Sequence, residues 1–270
     1  MKLTPRIVEK PWGRTDIPAA FGNTHGRHVG EVWFEHPDGD AAPLMVKFLF
    51  TSQRLSIQVH PDDDAALAMG YPRGKDECWL VLDTAGDCEL GIGLLADTNT
   101  QQLRQSAQAG TIESLIDWRP AHVGDFVYSK AGTIHALGAG LMVVEVQQNV
   151  DCTFRLYDYD RLDHGNLREL HLDVGLAVAS VTRHTEPRDR SLAQETGNVA
   201  LVNGPAFSLV RACGPVDHAA LPAGELTVTP LGDGCMVDGE AVHFGECAIT
   251  HDAASIHIAH GAYALIAWPA

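Results

Sequence analysis

Short runs rich in Val, Ile, Phe, Tyr and Trp recur along this chain, with Gly, Pro and Asp between them. The clearest are Leu44–Phe50, Leu55–His60, Glu77–Leu82, Gly124–Tyr128, Leu141–Gln148 and Thr153–Tyr157. Strands this short, with turn signals between them, pair antiparallel and close into a sandwich or jelly roll. A parallel sheet would need a helix after each strand. No G-x-G-x-x-G or Walker pattern stands between a strand and a helix.

Helical pieces interrupt the strands. Asp62–Met69 has acids in its first turn and Gly70 as a stop. A second, Asp97–Ala109, ends at Gly110, and Thr111 is placed to cap a third, Ile112–Trp118. These two form an insertion near residues 97–118 of a first β module, residues 1–165. Asn166 is placed to cap a further helix to about Ser180, and the polar stretch Val181–Gly197 reads as a linker. Residues 166–197 are thus helix and linker, and 198–270 a second, smaller β module.

Asp and Glu number 35 against 19 Lys and Arg, a formal charge of −16. That balance argues against a nucleic-acid or anionic-membrane partner, and a phosphorylated substrate would need a local cluster of cations. No apolar run has the length of a membrane span, and Met1–Arg14 lacks the apolar core of a signal peptide. The six cysteines form no C-x-x-C pair and read as reduced, mostly buried thiols, so the expected location is the cytoplasm. Oligomeric state is left open.

The most informative stretch is Leu55-Ser56-Ile57-Gln58-Val59-His60-Pro61. As a strand it points Leu55, Ile57 and Val59 to one face and Ser56, Gln58 and His60 to the other. The second face is either a solvated edge or a row of ligating groups. Lys75 and Glu77 share a face if their strand starts early, as a surface ion pair or as part of a site. His135 follows a strand and a turn in Ala131-Gly132-Thr133-Ile134-His135. Together Gln58, His60, Glu77 and His135 offer two imidazoles, a carboxylate and an amide oxygen, a donor set that zinc accepts and that does not exclude manganese, iron or nickel. Glu145 interrupts the apolar series Val143, Val144, Val146, so it should meet a cation, a proton or a donor. Thr153, Arg155 and Tyr157 share one face, which directs Arg155 toward a ligand or into a structural ion pair.

The runs L-S-I-Q-V-H-P-D-D, G-K-D-E-C-W, A-G-T-I-H-A-L-G and E-V-Q-Q-N-V-D-C-T-F-R-L-Y-D-Y-D-R resemble, in order and spacing, the type I mannose-6-phosphate isomerases (phosphomannose isomerases) in their short bacterial form. Lys10-Pro11-Trp12-Gly13 and Arg168-Glu169-Leu170 extend the likeness over roughly the first two-thirds of the chain. The resemblance implies a cupin jelly roll carrying catalysis in residues 1–165, a helical insertion and a second cupin-like module. It implies one zinc ion held by Gln58, His60, Glu77 and His135, and interconversion of mannose 6-phosphate and fructose 6-phosphate. Lys130 departs from the family pattern, which often has Pro there, and is either a phosphate contact or a surface substitution.

Such an isomerisation moves a proton between C2 and C1 through a cis-enediol. It needs a base, a stabiliser for the enediolate and an anchor for the phosphate. Lys75, with a depressed pKa, or Glu145, with a raised one, is expected to carry the proton. Arg155 is expected to stabilise the enediolate, and Ser56 and Arg161 to hold the phosphate, Arg161 from the strand's end at the pocket mouth. Two rivals are a cupin enzyme with a redox metal and a non-catalytic sugar-binding or regulatory cupin.

Overall fold

The large sheet of the protein is buried on both faces, and this decides where a site can lie. In the computed structural model, which describes residues 1–185, 190–193 and 195–270, that sheet runs Thr4–Arg14, Val29–Glu35, Leu44–Phe50, Leu141–Gln148, Glu77–Thr84, Asp125–Ser129 and Arg190–Ser191. A smaller sheet faces it, in the order Phe154–Tyr157, Ile57–Val59, His135–Leu137, Glu89–Leu94 and Ile116–Pro120. These strands pair antiparallel, and central neighbours such as Leu44–Phe50 and Leu141–Gln148 are distant in sequence, which is the all-β jelly roll expected of a cupin.

Alternation assigns the faces. Leu141–Gln148 is buried along its whole length. Met142, Val144 and Val146 join Val46, Phe48, Phe50 and Cys78 in an apolar core on one side. On the other side Glu145 and Gln147, with Met45, Lys47 and Leu49, line a cavity between the two sheets. The smaller sheet turns Ile57, Val59, Phe154 and Leu156 outward, onto Leu103, Ala107, Ile112 and Leu176 of the helical segments. Its opposite face completes the cavity.

The chain beyond residue 198 forms a second pair of sheets. Five strands (Val199–Asn203, Phe207–Cys213, Tyr263–Pro269, Leu226–Pro230, Ala248–Thr250) cover three (Glu240–Val242, Cys235–Val237, Ile256–Ile258) over a core that includes Leu226, Val228, Ile256 and Ile266. Phe207, Leu209, Cys247 and Leu265 from this part close the outer face of the large sheet. All six cysteines are free and five are buried. Among the described residues no helix is long and apolar enough to cross a membrane.

The helical expectations hold in part. Asp62 caps Asp63–Ala68 by accepting from Ala65 N at 2.9 Å, and Asn99 caps Thr100–Gln108 by accepting from Gln102 N at 2.9 Å. Thr111 makes no side-chain cap on the turn that follows it; its hydroxyl donates back to Ser106 O at 3.4 Å. Ile112–Leu115 is a 3₁₀ turn, and Ile116 already pairs with Leu94 in the small sheet. The spacing of Ile112 and Ile116 suits one helix face, and strand pairing uses the same buried residues instead. Asn166 sits in a hairpin with Asp163, turned through His164 (φ 50°) and Gly165 (φ 82°), and the helix begins only at Leu172.

Of the expected linker, residues 186–189 and 194 lie outside the described residues. Its described parts are anchored: Arg190 and Ser191 pair with Phe126 and Asp125, and Arg211 donates to the carbonyls of Leu192 and Glu195 at 3.1 Å each. The first strand, Thr4–Arg14, carries no strand signal in the sequence. Its prolines and charges suit a sheet edge, where unpaired groups face water.

Phe207 is fully buried between the two parts of the molecule. Phe207→Ala should cost about 3–5 kcal/mol. Urea unfolding should show a lower midpoint, and an unchanged one would show that this contact does not hold the parts together.

Candidate metal centre

Three strands of the small sheet set side chains in one row. His135 lies directly opposite Gln58, and Gln58 directly opposite Arg155. Ser56 and His60 flank Gln58 on the same face. Across the cavity Glu77 lies opposite Gln147 and Ser129, and Glu145 opposite Trp79 and Lys47.

The two rows converge on Glu77. Its Oε1 lies 2.9 Å from His135 Nε2, and its Oε2 lies 3.3 Å from His60 Nε2 and 3.0 Å from Lys75 Nζ. Ligating atoms of His60, Glu77 and His135 all fall within 4.8 Å of one another. Glu77 and His135 are fully buried, and His60 nearly so. Gln58 Nε2 lies 3.2 Å from His135 Nε2, while its Oε1 accepts from Ser56 Oγ at 3.0 Å. The two ends of the amide have nearly the same shape. A half-turn brings the oxygen to the centre and the nitrogen to Ser56 Oγ, which can accept.

Local backbone contacts hold these groups. Gly132 N donates to His60 O at 2.8 Å, and Ala131 N to Asp76 Oδ1 at 2.7 Å, so the loop before His135 is tied to both neighbouring ligand segments. Lys75 N donates to Pro61 O at 3.0 Å. A Cβ on Gly74 would stand 2.4 Å from the Asp62 carbonyl carbon, so only glycine lets the Lys75 loop approach this closely. His135 Nδ1 donates to Thr133 O at 2.9 Å with Ser129 Oγ at 3.1 Å, and His60 Nδ1 to Cys152 O at 3.3 Å. Both rings therefore turn an Nε2 lone pair to the centre, the arrangement that a carbonyl behind the ring imposes on a metal-binding histidine.

The residues present fit a divalent metal ion. Neither oxygen of buried Glu77 has a well-formed hydrogen bond, although cationic and imidazole nitrogens crowd around it. Burial opposes the charge of Glu77, but Lys75 and then the two imidazoles hold its carboxyl well below the usual range. Burial, and then Lys75, pushes the His60 imidazole down to about 4, so it is neutral at pH 7, as a ligand must be.

The expected proton carriers both line the cavity, with Ser56, Gln58 and Arg155. Burial works against the charge of Lys75, but Glu77 and then Glu145 raise its pKa above the ordinary lysine value. The chain's own groups thus move Lys75 opposite to the expected direction, because the partner carboxylate is as buried as the ammonium. Glu145 meets the cation its position demands, Lys47, at 3.3 Å, and accepts from Trp79 Nε1 at 2.9 Å. Nothing in the sequence near Glu145 names Lys47, since the two are ladder partners from distant segments.

Two expected phosphate residues lie elsewhere. The Arg155 strand ends at Tyr157, and the chain turns at Tyr159 and Asp160, both with positive φ. Arg161 is thereby carried off the cavity wall, where it pairs with Asp158 at 3.5 Å and packs over Tyr159. Lys130 is exposed on the turn before Thr133 and does not line the cavity. The cavity, about 500 Å³, is lined instead by Lys10 and Arg168, to which no local sequence signal gives a role, and by Trp12 and Trp33.

Comparisons with known proteins fall into one family. No protein-family model matches the chain. The probable mannose-6-phosphate isomerase GmuF of Bacillus subtilis is 34% identical over 235 residues, which cover 74% of this chain and 74% of that protein. The crystal structure of the mannose 6-phosphate isomerase from Bacillus subtilis superposes with a TM-score of 0.82 at 28% identity, covering 99% of this chain and 98% of the other. A zinc-bound mannose 6-phosphate isomerase shares the fold, with a TM-score of 0.69 at 13% identity and coverage of 99% and 98%.

Two outcomes test the centre. Glu77→Gln should abolish stoichiometric metal binding, read by elemental analysis of the folded protein, and retained metal would remove Glu77 from the donor set. In the unfolded chain His60 takes up a proton near pH 6.5, which the folded ring refuses until about pH 4. Stability of the metal-free protein should therefore fall as pH drops through that window. Urea midpoints at pH 7 and pH 5 should differ less in His60→Gln.

Proposed function

The chain belongs to the mannose-6-phosphate isomerase family, and on that premise we propose that it interconverts mannose 6-phosphate and fructose 6-phosphate at a zinc centre formed by Gln58, His60, Glu77 and His135. The observation that carries this reading is the buried His60–Glu77–His135 cluster, opening onto a cavity that Arg155, Lys75 and Glu145 also line. Two nitrogens and two oxygens suit zinc, and they leave positions free for substrate oxygens. The acidic chain argues against a nucleic-acid partner, and its free, mostly buried thiols favour the cytoplasm.

Gln58, His60, Glu77 and His135 would hold the divalent ion, which would supply Lewis acidity toward substrate oxygens and favour the neutral amine of Lys75. The chain's own groups do the rest. Arg155 stands beside Gln58 in the strand ladder, so its guanidinium meets a substrate seated at the ligands. Burial, with Arg168 beside it, lowers the pKa of Arg155, yet an arginine stays charged throughout any working pH. It can thus hold an enediolate oxygen without taking part in the proton transfer. Lys75 Nζ and a Glu145 carboxyl oxygen are the two proton carriers that face the cavity. Lys75 stands among the metal donors, whereas Glu145 already has Lys47 and Trp79 as partners. Position therefore favours Lys75 for the proton between C2 and C1. Ser56 holds the Gln58 amide.

A coupled assay of the purified protein with mannose 6-phosphate tests the activity. Turnover should stop on chelation and return with zinc. Absence of turnover in zinc-loaded protein would end the isomerase reading. Arg155→Lys should lower kcat by about 10²–10³-fold while metal stays bound. Unchanged kcat would take Arg155 out of the reaction. Turnover in D₂O should place deuterium on the sugar.

A further inference from the structure

Asp76 stands between Lys75 and Glu77 in the chain, and alternation sends its side chain to the opposite face. Lys75 and Glu77 point into the metal centre, so Asp76 points back toward the C-terminal sheets, on the side where Cys78 lies in the apolar core. It is buried there. A carboxylate in such a place has to be hydrogen-bonded. Its Oδ2 accepts from Tyr128 OH, and its Oδ1 accepts from Ala131 N at 2.7 Å. The backbone of Asp76 is fixed from the next strand. Asp76 N donates to Gln148 Oε1 at 2.9 Å, and Gln148 N donates to Asp76 O at 3.1 Å.

Ala131 lies on the loop that leads to His135, and Gly132 N of that loop donates to His60 O at 2.8 Å. A displaced Asp76 carboxylate would therefore shift the His135 loop against Glu77. Tyr128 holds that carboxylate from the far side of the sheet. On the strand Asp125–Ser129, Ser129 faces the centre, with Oγ 3.1 Å from His135 Nδ1, and Tyr128 faces away. The Tyr128 ring meets the Phe207 ring edge-on, with centroids 6.1 Å apart. Gly204 N donates to Phe207 O at 3.0 Å, which closes the turn between Val199–Asn203 and Phe207–Cys213. This turn lies against the Tyr128 hydroxyl: a Cβ on Gly204 would stand 2.9 Å from that oxygen. Only glycine leaves the hydroxyl where it is.

We propose that Tyr128 and Asp76 are positioning residues for the metal centre, and that the Gly204 turn of the C-terminal sheets seats Tyr128. This rests on the metal centre proposed above, and it gives the C-terminal part of the chain a role in metal affinity beyond covering apolar surface. Gly204 limits where the hydroxyl can stand. The hydroxyl orients the carboxylate, and the carboxylate sets the His135 loop relative to Glu77. Neither Asp76 nor Tyr128 lines the cavity, so both act through the ligands rather than on substrate. Hydrogen-bonded groups behind a ligand shell act in this way, by fixing ligand geometry before the metal arrives.

The test uses the full chain and reads zinc affinity by competition with a chelator. Tyr128→Phe removes the hydroxyl and keeps the ring on Phe207. It should weaken zinc binding about 10-fold, and Asp76→Ala should weaken it about 10–100-fold. Together they should weaken it no more than Asp76→Ala alone, because the hydroxyl acts through the carboxylate. Gly204→Ala should weaken zinc binding by itself and change nothing beside Tyr128→Phe, where the hydroxyl it displaces is gone. Urea midpoints of the metal-free variants are read alongside. Lower midpoints with unchanged zinc affinity would show a purely structural role and overturn the proposal. Additive losses in the double variants would overturn it as well. A wild-type chain that binds zinc yet turns over no mannose 6-phosphate, with the variants behaving as expected, would leave the positioning pair standing and end the isomerase reading. A wild-type chain that binds no zinc would overturn both.

Discussion

A carboxylate with no access to water has to be given positive charge, and Glu77 is such a group. Lys75 and the Nε2 sides of two imidazoles surround it, and the segments that bring them come from both sheets. An isolated buried carboxylate would cost several kcal/mol and would take up a proton instead. Satisfying Glu77 therefore demands that the two sheets face each other with Leu55–Pro61, Gly74–Glu77 and Ala131–His135 at one level. The close contact at Gly74 and the bonds from Gly132 and Ala131 fix that level. The donor set for a metal is a consequence of the same convergence.

The C-terminal sheets contribute by covering the other face of the large sheet. Phe207 and Leu209 pack on it beside Phe48 and Val144, and the ring of Tyr128 lies 6.1 Å from that of Phe207. Tyr128 in turn donates to Asp76, between Lys75 and Glu77 in the chain. The apolar face of the strand that carries Glu77 would otherwise meet water, so the second part of the molecule supports the wall on which the ligands stand.

Charge is arranged against the average. A chain of formal charge −16 repels anions, yet one cavity gathers Lys10, Lys47, Lys75, Arg155 and Arg168. Four of these, all but Arg155, have a carboxylate within 4 Å, which keeps the folded protein from carrying the full repulsion. The remaining one, Arg155, lies opposite Gln58 in the strand ladder. A field of this shape attracts a dianion only where low-dielectric walls focus it.

The strands and the ligating residue types were legible in the chain itself. Leu44–Phe50 and Leu141–Gln148 match the observed strands, and the alternation in Leu55–His60 placed Gln58 and His60 on one face. Such readings succeed because side-chain period and turn residues are local properties of the backbone. Other features arose only from the tertiary structure. The ladder that sets His135 against Gln58 and Gln58 against Arg155 joins segments far apart in order. Lys47 as the partner of Glu145, the edge strand Thr4–Arg14 and the strand start at Ile116 follow from pairing rather than propensity. Arg161 leaves the cavity wall because two left-handed residues, Tyr159 and Asp160, turn the chain where a strand could have continued. Local sequence encodes how each segment bends and which face it offers. Which segments meet is decided by how all of them together bury their apolar faces, and that is a property of the whole chain.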